Sequence, residues 1–304
     1  MTEKPISGVY AAVLTPRLAD SSIDVPALTI LIHFLLGKGI STFAINGATG
    51  EFCLTTPSHL DVILSTIQQA SNGQAHVLCG IGAPGTALAI ELADVAQRHA
   101  VHGLLLPMPC FFPYQQQDLD LFCRYVAATT TLPILLYNLP QFTSGLEKET
   151  VLTLIQQVPN IIGIKDSSGS LDILRHLTHH APTACRMVGN DSALVPAIHE
   201  ALCDGVVSGI ACAIPEIILS LYAEAPHLNS PSFHQAAARV DEYIAQLNPF
   251  PTPWGLKFTL EARKIIPATF AQPVTTHRRQ QAAAMAAWLN AWLPTAIPSH
   301  TPLK

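Results

Sequence analysis

The sequence predicts an α/β fold, a (β/α)8 TIM barrel with a C-terminal helical extension, and three observations carry that expectation. Eight short β-rich runs recur along the chain, segments with helical spacing lie between them, and 304 residues suit one barrel plus an addition. The runs are Val9 to Leu14, Thr42 to Asn46, Val77 to Gly80, Gly103 to Pro107, Pro133 to Asn138, Ile161 to Asp166, Ala184 to Gly189 and Gly205 to Ser208. The helical segments between them are Pro26 to Lys38, Pro57 to Ala70, Thr86 to Ala100, Gln117 to Ala128, Glu147 to Gln157, Leu171 to His179 and Ser192 to Leu202. Strand and helix in alternation mean parallel strands joined by crossover helices.

An open doubly wound sheet would carry GxGxxG after its first strand, and this chain does not. The nearest stretch, Gly80-Ile81-Gly82-Ala83-Pro84-Gly85, reads as a turn leading to a helix cap rather than a phosphate cradle. Pro215 to Glu224 supplies the eighth helix. Three further helical stretches, near Ser232 to Gln246, Pro253 to Lys264 and Thr276 to Trp292, are separated by proline-rich joints such as Asn248-Pro249-Phe250-Pro251. The expected division is a barrel over 1–228, a helical subdomain over 229–293 and a flexible tail over 294–304.

Composition narrows the function. With 49% hydrophobic and 12% charged residues and a formal net charge of −5, the chain is neither disordered nor a basic nucleic-acid binder. The beginning Met1-Thr2-Glu3-Lys4-Pro5 has no basic segment followed by an apolar stretch and a cleavage site, and no apolar run reaches the roughly 20 residues of a membrane span, so the sequence reads as cytoplasmic with no membrane partner. Seven cysteines, an odd number without a CxxC pair, read as reduced thiols. Thirteen histidines show no HExxH or comparable ligand spacing, and no metal site is expected.

In a parallel barrel the reactive groups sit at the carboxyl ends of strands. Lys165 closes the run Ile161-Ile162-Gly163-Ile164-Lys165-Asp166, and a desolvated lysine amine is a nucleophile toward carbonyls. Tyr137 closes the preceding run 28 positions earlier, one strand-loop-helix-loop unit, so the two strands are expected to be neighbours. Alternation puts Lys165 on one face with Gly163, and Tyr137 with Leu135, while Ile162, Ile164, Ile134 and Leu136 face the helices. Strands about 4.8 Å apart bring such a pair within proton-transfer reach. At the end of the second run, Asn46-Gly47-Ala48-Thr49-Gly50-Glu51 has two glycines that let backbone N–H groups turn inward, and with the Thr49 hydroxyl this loop suits a small carboxylate. Glu51 is read as a structural cap or ion-pair partner of that loop.

Three of these stretches together, Asn46-Gly47-Ala48-Thr49-Gly50-Glu51, Tyr137-Asn138-Leu139-Pro140 and Gly163-Ile164-Lys165-Asp166, resemble the signatures of the dihydrodipicolinate synthase and N-acetylneuraminate lyase superfamily. Leu14-Thr15-Pro16, Val188-Gly189-Asn190-Asp191 and Gly205-Val206-Val207-Ser208-Gly209 add to the match, which runs from about Gly8 to Lys264. The resemblance implies class I, cofactor-free lyase or aldolase chemistry on pyruvate or another 2-oxo acid, with an aldehyde as second substrate. Lys165 would form the Schiff base and Tyr137 would shuttle the proton. The Ala48 and Thr49 amides with the Thr49 hydroxyl would hold the carboxylate, and the Val207 carbonyl and Gly189 would shape the opposite wall. It also implies a homodimer or homotetramer.

The chain departs from the family at the acceptor side. Ala48 carries a methyl where synthases have a threonine hydroxyl and lyases usually a serine. The relay tyrosine that synthases take from a neighbouring subunit falls at Phe111 in Pro107-Met108-Pro109-Cys110-Phe111-Phe112-Pro113-Tyr114, with Tyr114 the alternative by spacing. Phe142 stands where synthases carry an arginine for the aldehyde's carboxylate, a loss of about 1.5–3 kcal/mol of charge-assisted hydrogen bonding. A lysine-pathway synthase is therefore not expected. Phe111, Phe112 and Phe142, if they line the pocket, favour a less polar or aromatic aldehyde. Two alternatives remain open from the sequence: a dehydratase or hydratase of a keto-deoxy sugar acid or aromatic 2-oxo acid, and a non-catalytic 2-oxo-acid sensor.

Overall fold

The computed structural model describes residues 4–297. Eight parallel strands close into a barrel in sequence order, each hydrogen-bonded to the next and the eighth to the first. They are β1 (Gly8–Ala12), β2 (Thr42–Ile45), β3 (His76–Gly80), β4 (Gly103–Pro107), β5 (Ile134–Asn138), β6 (Ile161–Asp166), β7 (Cys185–Val188) and β8 (Gly205–Ser208). The crossover helices are α1 (Val25–Gly37), α2 (Pro57–Ala70), α3 (Thr86–Arg98), α4 (Gln116–Ala127), α5 (Lys148–Gln157), α6 (Asp172–His180) and α7 (Leu194–His199). Each strand and helix lies where its apolar run or helical spacing predicts it, with ends shifted by a residue or two except at α7. There a 3-10 turn, Asp191–Ala193, takes the first residues and the helix is shorter than the segment Ser192 to Leu202. After β8 a four-residue helix, α8 (Ile210–Ala213), precedes α9 (Pro215–Glu224); sequence spacing gave no sign of it.

Two apolar layers hold the barrel. Outward-facing Leu104, Leu106, Ile134, Leu136 and Ile164 pack under the helices. Inward-facing Tyr10, Leu78, Leu105, Leu135, Met187 and Val207 fill the interior, and Tyr137 belongs to this layer. The alternation expected on β5 and β6 holds with one exception. Ile162 packs against the interior cluster rather than facing the helices, because the β5–β6 register shifts between Ile134, opposite Ile161, and Leu135, opposite Gly163. A residue in such a bulge is unpaired and loses the alternation.

At the amino-terminal mouth, Tyr10 Oη lies 2.9 Å from His76 Nδ1, and the rings of His76 and His102 stack with centroids 3.9 Å apart. Burial, and then the neighbouring His102, push the His76 imidazole down to about 4.

Helices α10 (Pro231–Leu247), α11 (Trp254–Ala262) and α12 (Thr276–Ala296) follow the barrel. Pro294 lies inside α12, so the helix enters the stretch expected to be tail. Tertiary anchoring overrides the local signal: Trp292 donates from Nε1 to Glu242 Oε2 at 2.5 Å and stacks on Trp288. The remainder of the expected tail, 298–304, lies outside the described residues. Among the described residues no helix is long and apolar enough to cross a membrane, and no group of three or more His, Cys, Asp or Glu is gathered that could hold a metal.

Candidate active site

The carboxyl ends of β5 and β6 are in register, with Tyr137 opposite Lys165 and Asn138 opposite Asp166. Both reactive candidates are buried, each 3% exposed. Lys165 Nζ sits 3.7 Å from the centroid of the Tyr137 ring, so the amine lies against the negative face of the phenol. Among the described residues no protein group hydrogen-bonds Lys165 Nζ or Tyr137 Oη, which leaves both free for a ligand.

The next pair along the same strands clamps this geometry. Asn138 Nδ2 donates to Asp166 Oδ1 at 3.0 Å, Asn138 Oδ1 accepts from Leu146 N at 3.0 Å, and Ser167 N donates to the Asn138 carbonyl at 2.8 Å. Gly189 N in turn donates to the Asp166 carbonyl at 2.7 Å, tying β7 to β6. Burial raises the Asp166 carboxyl above its ordinary range despite bonds from Ser168 and Asn138.

Gly189 is demanded by close approach. A Cβ there would lie 2.1 Å from Ser167 Oγ and 2.7 Å from Lys165 Cε, so only glycine lets the lysine arm pass. The loop 46–51 is held as firmly. Asn46 takes φ +51, donates from Nδ2 to the Gly80 carbonyl at 2.7 Å, and crowds Gly80 so closely that a Cβ there would meet Asn46 O at 2.0 Å. Glu51, as expected, is structural: Lys257 Nζ of α11 lies 2.6 Å from Glu51 Oε2 and donates to the Thr269 carbonyl at 2.8 Å.

These elements enclose a cavity of about 540 Å³. Ala48, Thr49, Tyr137, Phe142, Lys165, Gly189 and Val207 all line it, so seven residues singled out from sequence meet at one place, whereas Phe112 is exposed and stays outside. Phe111 does not line it either. It stands 87% exposed, turned outward by a backbone φ of +86° and resting edge-on against Phe112, with ring centroids 4.8 Å apart. Within a single chain it stays outside the cavity, while the role implied for it lies across a subunit boundary. Tyr114 is no substitute, since it lines a separate cleft of about 660 Å³ between α3 and α4.

The cavity has parts that the sequence did not disclose. Its outer wall comes from the end of α10 and the joint to α11, including Ile244, Leu247, Phe250 and Pro253. Ser167 and Asp191 also line it, and Ser167 Oγ and Asp191 Oδ1 are buried without a hydrogen-bond partner among the described residues. Asp191 Oδ2 accepts from Ile210 N at 3.3 Å. Burial, partly offset by the Ser208 hydroxyl, the Ile210 and Gly209 amides and the Lys165 ammonium, pushes the Asp191 carboxyl up to about 6. Its position just past the end of β7 was a signal in the sequence, because carboxyl ends of strands form the mouth; the orphaned oxygen is visible only in three dimensions.

The comparisons with known proteins agree with this fold. The chain is 31% identical over 257 residues to 4-hydroxy-tetrahydrodipicolinate synthase of Aromatoleum aromaticum, covering 83% of this chain and 87% of the relative. The fold matches 4-hydroxy-tetrahydrodipicolinate synthase from Methylacidiphilum fumariolicum SolV with a TM-score of 0.86 and 24% identity, over 96% of this chain and 98% of that one. It also matches N-acetylneuraminate lyase from Mycoplasma synoviae with a TM-score of 0.81 and 17% identity, over 93% and 98% of the two chains. Residues 5–292 match the model of the dihydrodipicolinate synthetase family, and with a closed barrel presenting a paired lysine and tyrosine at its carboxyl mouth, the chain belongs to that family of lyases and aldolases.

Proposed function

We propose that the protein is a Schiff-base-forming lyase or aldolase acting on pyruvate or a related 2-oxo acid, and that it is not a lysine-pathway synthase. The observation that carries this reading is the unengaged amine of Lys165, buried against Tyr137 and facing a cavity floored by the Ala48–Thr49 loop. The loop amides and the Thr49 hydroxyl would take the carboxylate of the keto acid, which places its C2 carbon toward Lys165. Attack by Nζ on C2 gives a carbinolamine; loss of water, with Tyr137 moving the proton to the departing hydroxyl, gives the protonated imine. Its C=N⁺ accepts the electron pair released when a C3–C4 bond breaks or a C3 proton leaves, and the enamine so formed attacks an aldehyde in the reverse direction.

The acceptor side argues against a second anionic group. Among the described residues Lys165 is the one cationic side chain lining the cavity, and Phe142 offers nothing to a carboxylate. The nearby buried cations are already engaged: Lys257 by Glu51, and Arg17 by Thr55, Ser21 and His59. A distal carboxylate would be buried uncompensated, at a cost of several kcal/mol.

The test is product analysis with pyruvate and a panel of aldehydes, read by mass and proton NMR. Condensation with a neutral aldehyde, and little with a carboxylate-bearing aldehyde, is expected. Preferred turnover of a carboxylate-bearing aldehyde would contradict the assignment. Loss of water from a sugar acid with its carbon skeleton intact would replace it with a dehydratase, and saturable pyruvate binding without turnover or trapping would leave a sensor.

A further inference from the structure

Helix α6 ends in Arg175-His176-Leu177-Thr178-His179-His180, and it stands apart from the cavity, which no residue of α6 lines. Positions i and i+4 of a helix share one face, one turn apart, so His176 and His180 are neighbours by geometry. Their ring centroids are 4.4 Å apart, with planes inclined by 43°. His176 Nε2 is buried and has no hydrogen-bond partner among the described residues. A buried polar nitrogen left unengaged is costly, and such groups in folded proteins nearly always have a partner. The pair keeps the spacing of the two histidines in HExxH, but Leu177 stands where the glutamate would be, so the stretch offers two donors without a base. His180 is exposed, and its ring can turn about its side-chain bonds to exchange contact with His176 for a shared ligand.

We propose that His176 and His180 form a bidentate site for a divalent late first-row transition-metal ion such as Zn2+, with water in the remaining positions. Imidazole nitrogen suits Zn2+, Ni2+ and Cu2+, whereas Mg2+ and Ca2+ take oxygen ligands. The surroundings accept a cation. His180 closes α6, and the unpaired carbonyls at a helix C-terminus carry partial negative charge. From α5, Lys148 repels an ion at His176 and Glu149 attracts it; the two side chains lie 3.8 Å apart as an exposed pair, so their effects oppose each other. His179 is the other titratable group acting on His176. Asp172, one turn before His176, is held by Arg175 Nη1 at 3.1 Å and is not at hand as a third donor. Closed structural zinc sites take four protein ligands, so two donors and water make an exchangeable site. The folded helix holds both donors together and the unfolded chain does not, so the bound ion favours the fold. The expectation of no metal site is replaced at this one place.

Titration calorimetry with Zn2+ tests the site, in protein carrying Cys53→Ser so that the exposed thiol does not compete. Saturable binding of Zn2+ is expected, with no binding heat from Mg2+. In the same background His176→Ala and His180→Ala are each expected to weaken Zn2+ binding at least about tenfold, because a second donor on the same helix acts at high effective concentration. His179→Ala is expected to bind as its parent does. Zn2+ should raise the denaturation midpoint of the parent and leave that of His180→Ala unmoved. Unchanged affinity in His180→Ala overturns the proposal, as does a loss of binding that follows His179 rather than His180, or the absence of saturable binding in the parent. If His176→Ala does not fold, His180→Ala decides alone, since its side chain is exposed.

Discussion

Replacing Gly189 by alanine tests whether the lysine arm is held where the chemistry needs it. The added methyl would lie 2.7 Å from Lys165 Cε, 3.1 Å from Lys165 Cγ and 2.1 Å from Ser167 Oγ. Ordinary carbon–carbon contact is about 3.5–4.0 Å, so Cε must retreat by about 1 Å or β7 must move. The backbone has little freedom to yield, because Gly189 N is bonded to the Asp166 carbonyl and Asp166 is bonded to Asn138. Overpacking of this kind costs about 1–3 kcal/mol of stability. A displacement of about 1 Å in a reacting group costs about 100-fold in rate. Gly189→Ala is therefore expected to remain folded, with a modest fall in its denaturation midpoint, and to form the trapped pyruvate adduct about 100-fold more slowly than wild type. An unchanged trapping rate in a folded variant would refute the claim that the path beside Gly189 positions the nucleophile.

Two further perturbations probe the supports of the site. Lys257→Met leaves the Glu51 carboxylate buried without its partner, which is expected to cost about 3–5 kcal/mol in chemical denaturation and to weaken pyruvate binding through the loop Glu51 closes; adding Glu51→Gln should recover much of the stability. The His76 imidazole is held at about 4 in the fold and returns to about 6.5 when unfolded, so the unfolded state binds more protons between these values. Stability is thus complete above about pH 6.5 and falls as pH drops toward 4. His76→Gln should flatten that part of a denaturation profile, and an unchanged slope would show that another group is responsible.

Much of the barrel could be read from the sequence because each strand is a short apolar run bounded by helical spacing. The Tyr137–Lys165 pairing was readable for the same reason, as 28 positions equal one repeat of the barrel and alternation points both side chains inward. Local pattern fails where distant contacts decide. Ile162 turns inward because of a register shift with a neighbouring strand. Pro294 stays helical because Trp292 is anchored on α10. Glu51 meets Lys257 across 206 positions, a partner no window of sequence shows. The outer wall from α10 and its joint to α11 was invisible, since its residues follow Lys165 by about 80 or more positions.

Peptide mapping after borohydride reduction with pyruvate tests the central claim most directly. Trypsin cuts after Lys148, Lys165 and Arg175, with no other lysine or arginine between them. A reduced pyruvyl group on Lys165 blocks the middle cut, so one fused peptide spanning 149–175 and carrying the added mass is predicted, while peptides 149–165 and 166–175 disappear in proportion. An adduct on any other lysine, or no adduct with both separate peptides intact, would contradict the account.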